Sequence, residues 1–172
     1  MKDVKTLFED ALKKNRERGY STLYIAIDVH GTIFYPSKKT EMLMCDGSTT
    51  PSEQVFNIGV KTEYGFYKDA LKCLEMLSAR ADVKIILWTS ALDTYHLLKT
   101  LKWNGVKIEY LNDNPDFKCN EYADFSKKFY FDVLLDDKAG FEPETDWTKI
   151  MEVDFDKFCK NIGESENERS AR

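Results

Sequence analysis

The sequence predicts an α/β protein built on a parallel, doubly wound sheet with helices on both faces. Short apolar runs over residues 23–27, 83–88 and 129–135 have the length and composition of buried strands. Amphipathic segments alternate with these runs, and such alternation is typical of parallel sheets with crossover helices. The 172 residues are 42% hydrophobic and 13% aromatic, which suits one domain with its own core. We expect that domain to span residues 1–162.

The helices are predicted from apolar residues that recur at helical spacing. A first helix over residues 4–18 stops at Gly19, because glycine readily adopts the left-handed backbone that ends a helix. A second helix is expected over residues 67–81. A third is expected over residues 91–103, where Asn104-Gly105 provides the stop.

Weaker patterns predict the remaining elements. Residues 107–111 read as a short strand, and residues 120–128 as a short helix that leads into the strand at 129–135. Residues 148–153 are expected to add an edge strand. The polar tail over residues 163–172 is expected to be disordered.

Polar side chains end three of the predicted strands. Asp28 ends the first, Thr89 and Ser90 follow the second, and Asp136-Asp137 follow the last. The carboxyl ends of parallel strands meet at one edge of a sheet, where open α/β folds bind ligands, so we expect these side chains to lie together. One aspartate at a strand end often only begins a turn. Three polar endings favour a functional site, with Asp28 as the first candidate for chemistry.

The order of these motifs over residues 20–145 resembles that of the haloacid dehalogenase superfamily of phosphatases and phosphotransferases. The family has a strand followed by Asp-x-Asp-Gly-Thr, then a strand ending in Thr or Ser, a lysine, and a strand ending in an acidic pair. This chain has Asp28-Val-His-Gly-Thr32 at the first of these places. The resemblance implies a Rossmann-like haloacid dehalogenase fold and a Mg²⁺-dependent phosphomonoester hydrolase. His30 departs from the family pattern, because it stands where the second Asp usually lies.

The resemblance also implies a role for each motif residue. Asp28 would be the nucleophile that forms an aspartyl phosphate. Mg²⁺ would be held by Asp28, Asp136, Asp137 and the backbone carbonyl of His30, since it prefers oxygen ligands. The expected phosphate-binding groups are Gly31, Thr32, Thr89, Ser90 and Lys118. Lys118 is preferred because capless family members place this lysine well ahead of the last strand, and Lys127 and then Lys128 are the alternatives.

The consequence of His30 for catalysis stays open between three outcomes. An imidazole titrates near pH ~6.5 and can both donate and accept a proton, so His30 is a candidate catalytic acid and base. Alternatively, the enzyme hydrolyses its aspartyl phosphate slowly, or the site binds phosphate without turnover. The first two outcomes describe an enzyme, and the third describes a non-catalytic phosphate-binding or interaction module. The intact Asp28, Thr89 and Asp136 favour an enzyme.

A second enzyme class also begins with Asp-x-His-Gly. In metallophosphoesterases the Asp and the His bind one of two metal ions, and further histidines complete the site. This chain contains two histidines, His30 and His96. A two-metal site of this class would therefore lack ligands in this chain.

Residues 36–65 form the irregular part of the chain, with Asp46-Gly47 as a good hairpin turn. Large lids of the family are inserted after the first or second motif, and this insertion is long enough for a flap only. We therefore expect a capless member with a small flap and no large cap domain. An open site would admit a phosphorylated macromolecule as well as a small phosphomonoester.

Composition bounds the partners and the compartment. The formal net charge of −5 argues against a general nucleic-acid-binding surface. No segment is apolar and long enough to span a bilayer, and the N-terminus lacks the apolar core of a signal peptide, so we expect no membrane partner and a cytoplasmic location. Widely spaced cysteines are typical of reduced thiols, and they are Cys45, Cys73, Cys119 and Cys159.

Overall fold

The structure is a computed structural model, and it describes residues 2–35, 65–91 and 94–159. The predicted flap, apart from residue 65, and the predicted disordered tail lie outside the described residues.

Four parallel strands form the sheet, in the order β3-β2-β1-β4. They are β1 (Leu23–Asp28), β2 (Val83–Trp88), β3 (Tyr110–Leu111) and β4 (Val133–Leu135). The prediction of an α/β fold with a parallel sheet is confirmed. Strands β1 and β2 match their predicted runs, whereas β3 and β4 are shorter than residues 107–111 and 129–135.

Helices precede, connect and follow the strands, and they are α1 (Val4–Glu17), α2 (Ala70–Ser78), α3 (Thr94–Trp103), α4 (Asp146–Met151) and α5 (Phe155–Cys159). Helix α1 ends just before Gly19, whose φ of 75° lies in the left-handed region, as predicted. Helix α3 likewise ends before Gly105, with φ 82°. Helix α2 is shorter than the predicted residues 67–81.

The main core lies between one face of the sheet and the helices. Alternate residues of β1, including Ile25, share one buried cluster with Leu74 of α2 and Leu101 of α3. The β1–α2–β2 and β2–α3–β3 connections step in the same direction across the sheet, so right-handed crossovers place both helices on the same face. Helix α1 also contacts β1 and α4. The helices thus bury the Ile25 face of the sheet.

An aromatic segment without a helix covers the opposite face. The chain between β3 and β4 carries Phe117 and Tyr130, whose rings stack 4.0 Å apart. Both rings pack edge-on against Tyr24 of β1, at 5.3 and 6.1 Å. Within the part of the chain that the structure describes, the expectation of helices on both faces is therefore not met.

The predicted helix over residues 120–128 is wrong, because side chains take the backbone N–H groups that a helix would use. The Oδ1 atom of Asn120 accepts hydrogen bonds from the N–H groups of Tyr122 and Ala123, both at 2.9 Å. Asp124 accepts from the N–H of Ser126 at 3.1 Å. Such local bonds favour turns over a helix.

The predicted edge strand over residues 148–153 is also wrong, because this stretch belongs mostly to α4. Trp147 and Ile150 are both fully buried, and their separation of three residues places them on one face of a helix. At the start of the helix, the side chain of Asp146 accepts a hydrogen bond from the N–H of Glu142 at 3.0 Å. The helical spacing of these two large apolar residues therefore favours a helix over a strand.

Candidate functional site

Strand register brings three carboxylates together at the carboxyl edge of the sheet. Asp28 ends β1, and Ile27 pairs with Leu135 of β4, so the next residues, Asp28 and Asp136, lie side by side. Carboxylate oxygens of Asp28, Asp136 and Asp137 all lie within 4.8 Å of one another. These three residues were predicted to meet here, and together we call them the acidic cluster.

The acidic cluster concentrates negative charge around Asp28. Partial burial raises the pKa of the Asp28 carboxyl, and the charges of Asp136 and Asp137 raise it further. A hydrogen bond from the N–H of Val29 and the positive charge of Lys138 act in the opposite direction. The cluster is therefore under electrostatic repulsion that a bound cation would relieve.

The donor set fits a hard divalent cation. Mg²⁺ binds oxygen at 2.0–2.1 Å, so ligands on opposite sides of the ion lie about 4.2 Å apart. One carboxylate oxygen from each of the three residues lies within 4.8 Å of the others, so a single divalent cation could contact all three. The three residues could therefore hold a divalent cation.

The loop after Asp28 packs directly on Asp137. Gly31 has φ 90°, and a Cβ atom at this position would lie 2.9 Å from Oδ2 of Asp137. The Oγ1 atom of buried Thr32 accepts a hydrogen bond from the N–H of Asp137 at 3.1 Å. Gly31 and Thr32 therefore set the position of the carboxylate that follows β4.

A buried tryptophan also bonds to the loop after Asp28. The indole N–H of Trp147 donates a hydrogen bond to the carbonyl of Thr32 at 3.0 Å. Two further bonds tighten the turn: the N–H of Gly31 donates to the carbonyl of Phe34 at 2.8 Å, and that of Ile33 to the carbonyl of Val29 at 2.9 Å. These bonds fix the loop whose Gly31 contacts Asp137.

His30 lies on this loop with an exposed side chain. Its backbone forms an isolated bridge with Phe34. Among the described residues, no hydrogen bond or ion pair holds its imidazole. The ring can therefore turn toward a group bound above the sheet edge or toward solvent.

Thr89 lies one residue beyond β2 and is buried. Its Oγ1 atom accepts a hydrogen bond from the N–H of Ala91 at 3.1 Å, which leaves the hydroxyl proton available for donation. The backbone N–H and carbonyl of Thr89 both bond to the side chain of Asn112. Ser90, the alternative hydroxyl, is exposed. Asn112 was not predicted as a site residue, although it directly follows the strand predicted at residues 107–111.

The structure does not bring the predicted lysines to the acidic cluster. Lys118 and Lys128 are exposed, and no contact joins either of them to the cluster within the described residues. Lys127 lies near Asp124, at 3.7 Å. The cation beside the cluster is Lys138, whose Nζ atom lies 3.9 Å from Oδ1 of Asp137. Lys138 was not predicted as a site residue, although it directly follows the acidic pair in the sequence.

His96 and the cysteines were given no part in the predicted site. His96 is on α3, where its ring contacts that of Tyr95 at 5.2 Å. Cys73 is buried and Cys119 exposed, and both are free. The side chains of Cys45 and Cys159 are outside the described residues.

No family model, curated protein or solved structure matches the chain. In the described residues, every helix is too short or too polar to cross a membrane. The case for a function therefore depends on the residues of the site itself.

Proposed function

We propose that the protein is a Mg²⁺-dependent phosphomonoester hydrolase of the haloacid dehalogenase type, acting through an aspartyl phosphate on Asp28. The observation that supports this proposal best is the acidic cluster itself, formed by residues far apart in the chain. The Thr89 hydroxyl directly follows β2, which pairs with β1. The sequence motifs agree with this arrangement, because hydroxyl, nucleophile and acidic pair follow the three neighbouring strands β2, β1 and β4.

In the proposed reaction, a carboxylate oxygen of Asp28 attacks the phosphorus atom of a phosphomonoester. The bond from phosphorus to the ester oxygen breaks, and the departing oxygen takes a proton to leave as an alcohol. Water then attacks the aspartyl phosphate, which releases inorganic phosphate and restores the Asp28 carboxylate. A divalent cation in the acidic cluster would neutralise charge between carboxylate and phosphate.

His30 is the proposed acid and base. It follows Asp28 by two residues, and its exposed imidazole is free to approach a leaving oxygen. The protonated ring would supply the proton to the departing alcohol, and the neutral ring would then accept a proton from water. An imidazole suits both steps because its ordinary pKa lies near neutrality.

Thr89 and Lys138 are the proposed phosphate-binding side chains. The hydroxyl proton of Thr89 is free for a phosphate oxygen, because its Oγ1 atom already accepts from Ala91. Lys138 replaces Lys118 in this role, because its charge acts on Asp28. Gly31 contributes an open approach, since a larger residue there would meet Asp137.

The test is hydrolysis of an aryl phosphate with and without Mg²⁺. Asp28→Asn should abolish turnover, because an amide is a poor nucleophile. Asp10→Asn is the matched control, since Asp10 lies on α1 and pairs with Lys2 at 2.7 Å. Wild-type turnover in Asp28→Asn, or turnover unaffected by removal of divalent cations, would disprove the mechanism.

A second candidate function is a phosphate-binding module without turnover. The observation that favours it is His30, which stands at the place of a carboxylate and is held by no hydrogen bond among the described residues. In that case the wild type would bind inorganic phosphate with Mg²⁺ but would not hydrolyse phosphate esters. His30→Asp would then switch hydrolysis on, whereas in the enzyme it would shift the pH profile.

A further inference from the structure

Asn112 makes three hydrogen bonds at the end of β2. Its backbone N–H donates to the carbonyl of Leu87 at 2.8 Å. Its Oδ1 atom accepts from the N–H of Thr89 at 2.8 Å, and its Nδ2 atom donates to the carbonyl of Thr89 at 2.7 Å. One side chain thus satisfies both backbone polar groups of Thr89.

These bonds continue the sheet beyond its last strand pair. Pairing of β2 with β3 ends at Leu87 and Leu111, so Thr89 has no partner strand on that side. The amide of Asn112 takes the place of a strand backbone, because it presents one acceptor and one donor in a plane. Asparagine also tolerates the left-handed backbone, and Asn112 has φ 51°.

We propose that Asn112 is a positioning residue for the phosphate site, holding Thr89 so that its hydroxyl donates to a phosphate oxygen. This inference rests on the function proposed above. Asn112 acts through Thr89 and is not itself a ligand of the phosphate. The side chain of Asn112 should therefore affect catalysis only while the Thr89 hydroxyl is present.

Two substitutions separate the contributions of Asn112. Asn112→Gly removes both side-chain bonds and keeps the left-handed backbone without strain. Asn112→Asp keeps the acceptor for the N–H of Thr89 but loses the donor to its carbonyl. Asn104→Asp is the control, because Asn104 donates to the carbonyl of Thr100 at 2.8 Å at the far end of α3.

Amide hydrogen exchange at Thr89 tests the positioning without any assay of activity. We expect exchange about 5-fold faster in Asn112→Gly, since a hydrogen bond contributes about 1 kcal/mol. Asn112→Asp should keep most of the protection, and Asn104→Asp all of it. Unchanged exchange in Asn112→Gly would overturn the inference, whatever the activity of the protein.

A double-mutant cycle tests the link to catalysis. Asn112→Gly should lower kcat/KM for an aryl phosphate about 10-fold, and Thr89→Ala should remove that sensitivity, because the two residues act as one unit. Independent, additive losses would overturn the inference while the phosphatase proposal stands. If the wild type shows no turnover, the proposed function fails, and the exchange experiment alone decides whether Asn112 positions Thr89.

Discussion

Replacement of Gly31 by alanine tests the contact between the loop after β1 and the acidic cluster. Gly31 has φ 90°, where a side chain is strained. The added Cβ would also lie 2.9 Å from Oδ2 and 3.0 Å from Cγ of Asp137. Because the carboxylate is the end of a flexible side chain, Asp137 would move away. Gly31→Ala should therefore both strain the backbone and open the cluster.

Gly19→Ala separates these two effects. Gly19 has φ 75° and nothing within 4 Å of the added Cβ, so alanine there adds backbone strain alone. The strain is about 1–2 kcal/mol at each position, which lowers Tm by about 2–8 °C for a domain of this size. Only Gly31→Ala should also weaken stabilisation by Mg²⁺, because only it displaces a carboxylate of the acidic cluster.

The assay is thermal unfolding of both variants and the wild type over a range of Mg²⁺ concentrations. A cation that binds the folded state raises Tm with concentration, and the rise reports affinity. Equal Mg²⁺ responses in Gly31→Ala and Gly19→Ala would refute the role of this contact. Gly31→Ala with wild-type stability would refute the strain as well.

Three further changes follow from contacts of the described residues. Trp147→Phe leaves the carbonyl of Thr32 without its buried donor, so denaturant unfolding should show a loss of about 1–3 kcal/mol; an unchanged midpoint would contradict this. Asp28→Asn removes one of three repelling charges, so it should raise Tm in the absence of metal and abolish the rise with Mg²⁺; a lower metal-free Tm would count against the repulsion. A hydrogen bond from Lys84 lowers the pKa of Asp116, so its stabilisation is present above the unfolded pKa of about 3.9 and is lost as the pH falls through the lower folded value. Asp116→Asn should remove that acid-range loss, as unfolding measured at a series of pH values would show.

Continuous apolar runs allow the two central strands of the sheet, β1 and β2, to be predicted from the sequence. The six-residue strands β1 and β2 were predicted with their ends, because a buried parallel strand needs apolar residues on both faces and ends where polar residues begin. Helix α1 was predicted from apolar spacing and Gly19. These signals are local, so they can be read without knowledge of the partners.

Local signals failed where side chains compete with the backbone. Asn120 and Asp124 were compatible with a helix by composition, yet their oxygens bond to nearby N–H groups and form turns. Local signals also could not predict what covers the second face of the sheet. Its aromatic contacts join residues distant in sequence, including Tyr24 and Tyr130.

The sequence by itself determined which residues end the strands, and so it predicted Asp28, Thr89 and Asp136-Asp137 as one group. Only the tertiary structure decided which cation lies beside them and what holds them in place. Lys138 lies beside Asp137, Asn112 bonds to the backbone of Thr89, and Trp147 bonds to the carbonyl of Thr32. The contacts of Asn112 and Trp147 join residues that are far apart in sequence. Like strand order and register, they depend on how the whole chain packs rather than on any short stretch of it.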